Sequence, residues 1–163
     1  MMKLKVLQKI VDSALVAVVR AESSEQAARF PEACDARGFA PIEITFTAPC
    51  AVNVSSQLAQ RFTADEIRIG AGTVPDPETA RVATLSGAQF VVSPSRDPET
   101  ARLCNRYQTP YIPGAGTLQA VIEGMERVAD IVRSLWRNPA TCFCEGRAGR
   151  LQERRSCRLD ALA

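Results

Sequence analysis

Short apolar runs alternate with longer amphipathic stretches along most of the chain. The apolar runs are brief and rich in valine and isoleucine, which is typical of strands that are buried on both faces. This pattern predicts five strands and the start of a sixth, at residues 14–19, 41–46, 66–73, 89–94, 110–114 and 130–132.

The amphipathic stretches between these runs carry the start and stop signals of helices. Asp76 and Asp97 each begin an Asp-Pro-Glu sequence, which supplies an N-cap and a proline for the first helical turn. Gly38 and Gly87 follow two of the stretches, as glycine does after a helix C-terminus. The predicted helices cover 23–37, 51–62, 76–86, 97–107 and 117–127. This alternation predicts parallel strands with covering helices, either in a (β/α) barrel or in an open doubly wound sheet.

The ends of the predicted strands favour the barrel, since (β/α) barrels carry their functional groups where strands run into loops. The residues at these positions are Arg20, Glu43, Thr45, Thr47, Thr73, Ser93, Pro94, Pro113, Gly114 and Thr117. An open dinucleotide-binding sheet would place three spaced glycines after its first strand. Here Gly70 and Gly72 follow the third strand, without a third glycine in the required position.

The composition limits the chemistry that such a barrel can carry. The chain has 163 residues, 46% of them hydrophobic and 23% charged, as expected for one globular domain. The absence of histidine excludes histidine catalysis and histidine metal sites. The lysines are Lys3, Lys5 and Lys9, all before the first strand. An amine nucleophile is therefore missing from the body of the chain, and arginine does not replace it because it stays protonated.

The sequence gives no sign of a membrane or secretory segment. Charged residues interrupt the apolar ones over residues 1–12, and no run of 18 apolar residues occurs. The six cysteines are scattered without a secretory signal, which indicates reduced thiols. We expect a cytoplasmic protein.

Four short motifs occur in order with compatible spacing, at residues 42–47 (Ile-Glu-Ile-Thr-Phe-Thr), 70–74 (Gly-Ala-Gly-Thr-Val), 87–94 (Gly-Ala-Gln-Phe-Val-Val-Ser-Pro) and 112–114 (Ile-Pro-Gly). Together they resemble the 2-keto-3-deoxy-6-phosphogluconate/4-hydroxy-2-oxoglutarate aldolase family over roughly residues 4–132. The resemblance implies a trimeric (β/α) barrel lyase of the TIM type. Its substrate would be a keto acid or a phosphorylated sugar acid, cleaved to pyruvate and an aldehyde with no metal or organic cofactor.

The resemblance also implies roles for individual residues. A lysine on the sixth strand forms a Schiff base with the substrate, and Glu43 shuttles protons. Burial between two isoleucines would raise the pKa of this carboxyl towards a useful range, although Glu43 could equally be a structural carboxylate paired with Arg20 or Arg68. The implied substrate-binding residues are Arg20, Thr47, Thr73, Pro94, Pro113 and Thr117.

Several of these binding residues have a simpler interpretation. Arg20 could be a solvated charge at a strand end, and Thr73 a turn hydroxyl. Thr47 stands where many family members have arginine, which weakens the case for anion contact there. Pro113 and Thr117 could be an ordinary loop residue and an ordinary helix cap.

The sixth strand departs from the family at the position of the Schiff-base lysine. Arg133 occupies that position, and Ser134, Leu135 and Trp136 replace the expected apolar-Phe-Pro continuation. A guanidinium does not form the required iminium. Because a complete barrel needs at least about 200 residues, we expect an incomplete one of about five and a half of eight units, lacking the phosphate loops, and no aldolase activity from the chain as written.

The predicted division of the chain is a partial barrel at 1–132 and an Arg- and Cys-rich tail at 133–163 that is not natively structured. We hypothesise that the tail results from a frameshift in the gene. With permissible codons, a shifted reading frame can encode segments that resemble those of the family. The sequence of the coding DNA tests this hypothesis. Two other interpretations are a metal site at Cys142, Cys144 and Cys157, which lacks the usual fourth ligand, and a nucleic-acid patch formed by the arginines with Trp136 and Phe143.

Two functions remain for the whole chain. One is a lyase of the aldolase family by ancestry. The other is a non-catalytic fragment that binds anions or associates with subunits. Neither hypothesis includes a nucleic-acid or membrane partner, and an intact parent is expected to form a homotrimer.

Overall fold

A computed structural model of the protein describes residues 2–20, 41–63, 66–127, 129–135, 142–146 and 152–154. The helices in this part of the chain are α1 (Met2–Ser13), α2 (Ala51–Arg61), α3 (Pro77–Leu85), α4 (Pro98–Arg106) and α5 (Leu118–Arg127). The strands are β1 (Ala17–Val19), β2 (Pro41–Thr45), β3 (Arg68–Gly72), β4 (Phe90–Ser93), β5 (Tyr111–Ala115), β6 (Ile131–Ser134), β7 (Cys142–Gly146) and β8 (Gln152–Arg154).

The strands form one sheet in the order of the chain, from β1 to β8. Strands β1 to β6 pair in parallel with their neighbours in sequence, and helices lie between strands. This curled half-barrel is an incomplete α/β barrel of the TIM type, which confirms the predicted fold class.

The sheet continues beyond the parallel strands. Strand β7 pairs antiparallel with β6, and β8 pairs antiparallel with β7. Both strands belong to the tail at 133–163, for which no native structure was predicted; most of the tail otherwise lies outside the described residues. The division of the chain at residue 132 therefore stays a prediction.

The helix start signals act where they were predicted. The Asp76 carboxylate accepts from the Thr79 N–H at 2.7 Å, and Asp97 does the same for Thr100 at 2.8 Å. Gly87 ends α3 with a φ of +96°, a conformation that favours glycine. The helix predicted at 23–37 lies outside the described residues.

The first strand is shorter than predicted because a helix precedes it. Helix α1 extends to Ser13, Ala14 adopts a φ of +59°, and β1 begins at Ala17. The Val6 and Ile10 side chains of α1 are buried. They pack in one cluster with Phe90, Val92, Ile112 and Ile131.

The two faces of the sheet have different neighbours. Alternate strand residues, among them Ile42, Ile44, Ile69, Ala71 and Val91, pack with residues of the covering helices. Phe90, Val92, Ile112 and Ile131 lie on the opposite, inner face, which α1 partly covers. None of the described helices is long and apolar enough to span a lipid bilayer.

Lys3 anchors α1 at the amino-terminal edge of the parallel strands. Its Nζ lies 2.8 Å from the Asp130 carboxylate and 2.8 Å from the Asn105 side-chain oxygen. Asp130 immediately precedes β6. Lys3 therefore lies at the amino-terminal ends of the strands, whereas the predicted site lies at their carboxyl ends.

Candidate active site

Glu43 is a buried carboxyl on the inner face of β2. Its neighbours Ile42 and Ile44 pack with Val54 and Leu58 of α2, so strand alternation turns the Glu43 side chain to the other face. Only 4% of Glu43 is exposed. Its carboxyl lies beside Gly72, at the carboxyl end of β3. The side chain therefore leans towards the end of the strands.

Burial and two arginines control the protonation of this carboxyl. Burial has the larger effect and raises the pKa of Glu43, whereas the positive charges of Arg133 and Arg20 lower it. Arg68, the other arginine considered as a partner, donates to the Gln89 side chain at 3.4 Å. A carboxyl with a raised pKa exchanges protons closer to neutral pH than an ordinary glutamate does. The positive charges that act on this carboxyl also favour the binding of an anion.

Arg133 lies on the inner face of β6. The residue before it, Val132, packs in the cluster on the helix side, and Ile131 belongs to the inner cluster. Arg133 pairs by register with Gly114 of β5 and is exposed. The residue in the expected lysine position therefore shares the inner face with Glu43.

Thr73 has a strained backbone. It directly follows β3, is partly buried, and has a φ of +58°. This left-handed conformation costs an L-residue roughly 1–2 kcal/mol and is an outlier for β-branched side chains. Because such strain tends to occur at functional sites, the geometry keeps Thr73 among the predicted substrate contacts.

The other predicted binding residues divide into two groups. Arg20, Thr47 and Pro94 lie at or just beyond the carboxyl ends of β1, β2 and β4, and all three are exposed. Pro113 instead lines a cleft of about 500 Å³ on the helix side, between α4 and α5. Thr117 is exposed, and its hydroxyl accepts from the Ala120 N–H at 3.1 Å as the cap of α5. The described contacts thus do not bring Pro113 and Thr117 to Glu43.

Thr45 and Gly72 are two further features of this region. Thr45 is 4% exposed, and its hydroxyl has no hydrogen-bond partner in the part of the chain that the structure describes. It shares the inner face with Glu43 by alternation and pairs by register with Gly72. Both residues lie in motifs recognised from the sequence, but their contacts depend on strand register, which the motifs alone do not reveal.

Across the described ranges, no group of three potential ligands among Asp, Glu and Cys is arranged to hold a metal ion.

The sequence model of a family described as KDPG and KHG aldolase matches residues 6–135. The chain belongs to this aldolase family. The match confirms the resemblance drawn from the four motifs. It extends through β6 and includes Glu43 and Arg133.

Curated aldolases match a large part of this chain. The KHG/KDPG aldolase of Escherichia coli (strain K12) is 30% identical over 112 residues, which are 69% of this chain and 52% of that protein. The 2-dehydro-3-deoxy-phosphogluconate aldolase of Dickeya dadantii is 32% identical, with the same coverage. The chain spans about half the length of these curated relatives.

Solved aldolase structures show the same fold. A KDPG aldolase from Legionella pneumophila, with pyruvate captured as a covalent carbinolamine intermediate, is 28% identical and superimposes with a TM-score of 0.64. The alignment covers 71% of this chain and 55% of that chain. A native KDPGal structure gives a TM-score of 0.69 at 25% identity, covering 74% of this chain and 58% of that chain.

Proposed function

We propose that this chain carries the keto-acid site of a KDPG/KHG aldolase but, as written, binds a keto acid without forming a Schiff base. The single observation that supports this proposal is Arg133 on the inner face of β6, where its charge acts on Glu43. The site thus combines a cation with a buried carboxyl. It lacks an amine in the position where the family resemblance requires one.

The chemistry of the guanidinium explains both halves of the proposal. A Schiff base begins with the attack of an unprotonated amine on the keto carbon and continues with the loss of water. Arginine stays protonated at neutral pH and has no free electron pair for this attack. It does bind carboxylates well, since its N–H groups can form paired hydrogen bonds to the two oxygens.

Glu43 would act on the bound keto acid as a proton shuttle. Its raised pKa leaves the carboxyl partly protonated nearer to neutral pH, so that it can both donate and accept a proton. In an intact parent protein with lysine at position 133, Glu43 would move protons in the steps that form and break the Schiff base. The parent would cleave 2-keto-3-deoxy-6-phosphogluconate or 4-hydroxy-2-oxoglutarate to pyruvate and an aldehyde. Its homotrimeric state and cytoplasmic location stay predictions from the resemblance.

Borohydride trapping tests the covalent half of the proposal. The protein is incubated with pyruvate and sodium borohydride, and the modified residues are located by peptide mass spectrometry. We expect no trapped adduct in the barrel portion of the wild type. Arg133→Lys should give an adduct at position 133, whereas Arg102→Lys on the exposed surface of α4 should not. An adduct in the barrel portion of the wild-type protein would overturn the proposal.

Pyruvate binding tests the non-covalent half. Ligand-detected NMR should show that wild-type protein binds pyruvate, and that Arg133→Met weakens binding by at least about tenfold, the equivalent of 1.4 kcal/mol. The control Arg102→Met should bind as the wild type does. Equal binding by the Arg133→Met and control variants would refute the role of Arg133. An absence of wild-type binding would refute the keto-acid site in this chain.

A further inference from the structure

Gly72 leaves a space on the inner face of β3 that the Glu43 side chain fills. A Cβ atom added to Gly72 would lie 2.5 Å from both Cγ and Cδ of Glu43, and closer still to Oε1. These are the three nearest heavy atoms to the added group. Even an alanine at this position would overlap the carboxyl where it now lies.

The backbone does not require glycine at position 72. Gly72 is the last residue of β3, and its φ lies outside the left-handed range that L side chains avoid. An L-residue could therefore adopt this backbone conformation. The obstacle to a side chain is the space occupied by Glu43.

Two other strand glycines show how specific this contact is. At Gly70, an added Cβ would meet the Phe90 ring, which belongs to the inner core cluster. At Gly114, it would meet the backbone of Pro94. Those two glycines allow core and backbone packing, whereas Gly72 leaves room for an ionisable group.

The diagonal position of the contact also matters. Glu43 pairs by register with Gly70, yet its carboxyl lies beside Gly72, two residues closer to the end of β3. The bare position at Gly72 thus allows the carboxyl to reach towards the strand ends. Thr73, the strained residue, follows immediately.

We propose that Gly72 is a positioning residue for Glu43, because the missing side chain provides the space in which the Glu43 carboxyl lies buried. This inference rests on the proposed function only in so far as Glu43 acts on a keto acid. The geometric claim stands without any ligand, and it is tested without one.

Titration of Glu43 in Gly72→Ala provides the first test. The carboxyl resonance is followed by carbon NMR and assigned by its loss in Glu43→Gln. Burial is the dominant effect on this group, and the other charges acting on it, Arg133 of β6 and Arg20 beyond β1, already lower its pKa. A methyl group that displaces the carboxyl towards water should therefore move the pKa of Glu43 down towards 4.5.

Gly116→Ala is the matched control for this titration. Gly116 follows β5, and an added Cβ there would meet no heavy atom within 4 Å. We expect its Glu43 titration to match that of the wild type. A Gly72→Ala titration that also matches the wild type, or that shifts upwards, would overturn the inference. Neither outcome would bear on pyruvate binding, so failure here is distinguishable from failure of the proposed function.

A double substitution keeps the inference testable even where Gly72→Ala alone does not fold. Removing the carboxyl in Glu43→Ala should make room for the alanine methyl. Gly72→Ala should lower the denaturation midpoint strongly in the wild-type background. In the Glu43→Ala background, the same substitution should lower it much less. An equal loss in both backgrounds would show that Gly72 is required for a reason other than Glu43, and would refute the inference.

Discussion

The Asp97 carboxylate stabilises the start of α4 through two hydrogen bonds from one residue. It accepts from the Thr100 N–H at 2.8 Å and from the Thr100 hydroxyl at 2.5 Å. Thr100 is fully buried. The Asp97 N–H also donates to the Tyr111 hydroxyl, which in turn donates to the Ser95 carbonyl. Asp97 therefore supports the loop that carries Pro94 away from β4.

We predict that Asp97→Ala lowers the free energy of unfolding by about 2–4 kcal/mol. Loss of an N-cap costs about 1 kcal/mol, and a buried hydroxyl left without its partner adds about 1–3 kcal/mol. Asp76→Ala is the matched comparison, because Asp76 also begins an Asp-Pro-Glu helix start and accepts from the Thr79 N–H. It should cost about 1 kcal/mol, the value of the cap alone.

Urea denaturation of the two variants at neutral and acidic pH checks this prediction. The side-chain hydrogen bond from Thr100 is the main cause that lowers the pKa of Asp97 below its ordinary value of 3.8. A lowered pKa means that the part of the stabilisation that depends on the charge of Asp97 is present above 3.8 and is lost as the pH falls through the folded-state pKa. Equal costs for Asp97→Ala and Asp76→Ala at neutral pH would refute the reasoning. So would an Asp97→Ala cost that persists in full after Asp97 is protonated.

Two further predictions concern the candidate site. Burial raises the pKa of Glu43 in the folded state, so Glu43→Gln should be more stable than the wild type at pH values above the folded-state pKa, and this advantage should vanish below pH 4.5. Urea denaturation at several pH values measures the difference in the free energy of unfolding. A difference that does not change with pH would contradict the prediction. Thr73→Gly should change the free energy of unfolding by less than about 1 kcal/mol, because relief of backbone strain offsets the entropy cost of glycine. Thr45→Gly, on the extended backbone of β2, has no such relief and should cost more; equal costs would count against strain at Thr73.

The parallel strands and their helices were predictable because their signals are local. Asp76 and Asp97 define helix starts through hydrogen bonds within three residues, and the apolar runs are short and bounded. Helix α1 was not predicted, although its buried residues Val6 and Ile10 have the four-residue spacing of one helix face. The sequence does not reveal that this face packs on the inner face of the sheet, because that contact joins distant parts of the chain.

The residue types of the candidate site were predictable, but the face of the sheet on which each residue lies was not. Motif order indicated Glu43 and the position of Arg133, and the structure places both on the inner face. The family resemblance grouped Pro113 with them. In the structure its neighbour Ile112 is on the inner face, and Pro113 lines the cleft on the helix side. The contact between Glu43 and Gly72 likewise depends on strand register, which brings together residues far apart in sequence.

Arg133 separates two properties that a lysine at the same position would combine. A lysine supplies both a positive charge near Glu43 and an amine that can attack a carbonyl. Arginine retains the charge, which lowers the pKa of Glu43 against the opposing effect of burial, but it does not supply the nucleophile. Because the two functions depend on different atoms, the electrostatic character of the site can persist without its covalent chemistry. Binding and trapping experiments on position 133 therefore measure two independent properties of the same residue.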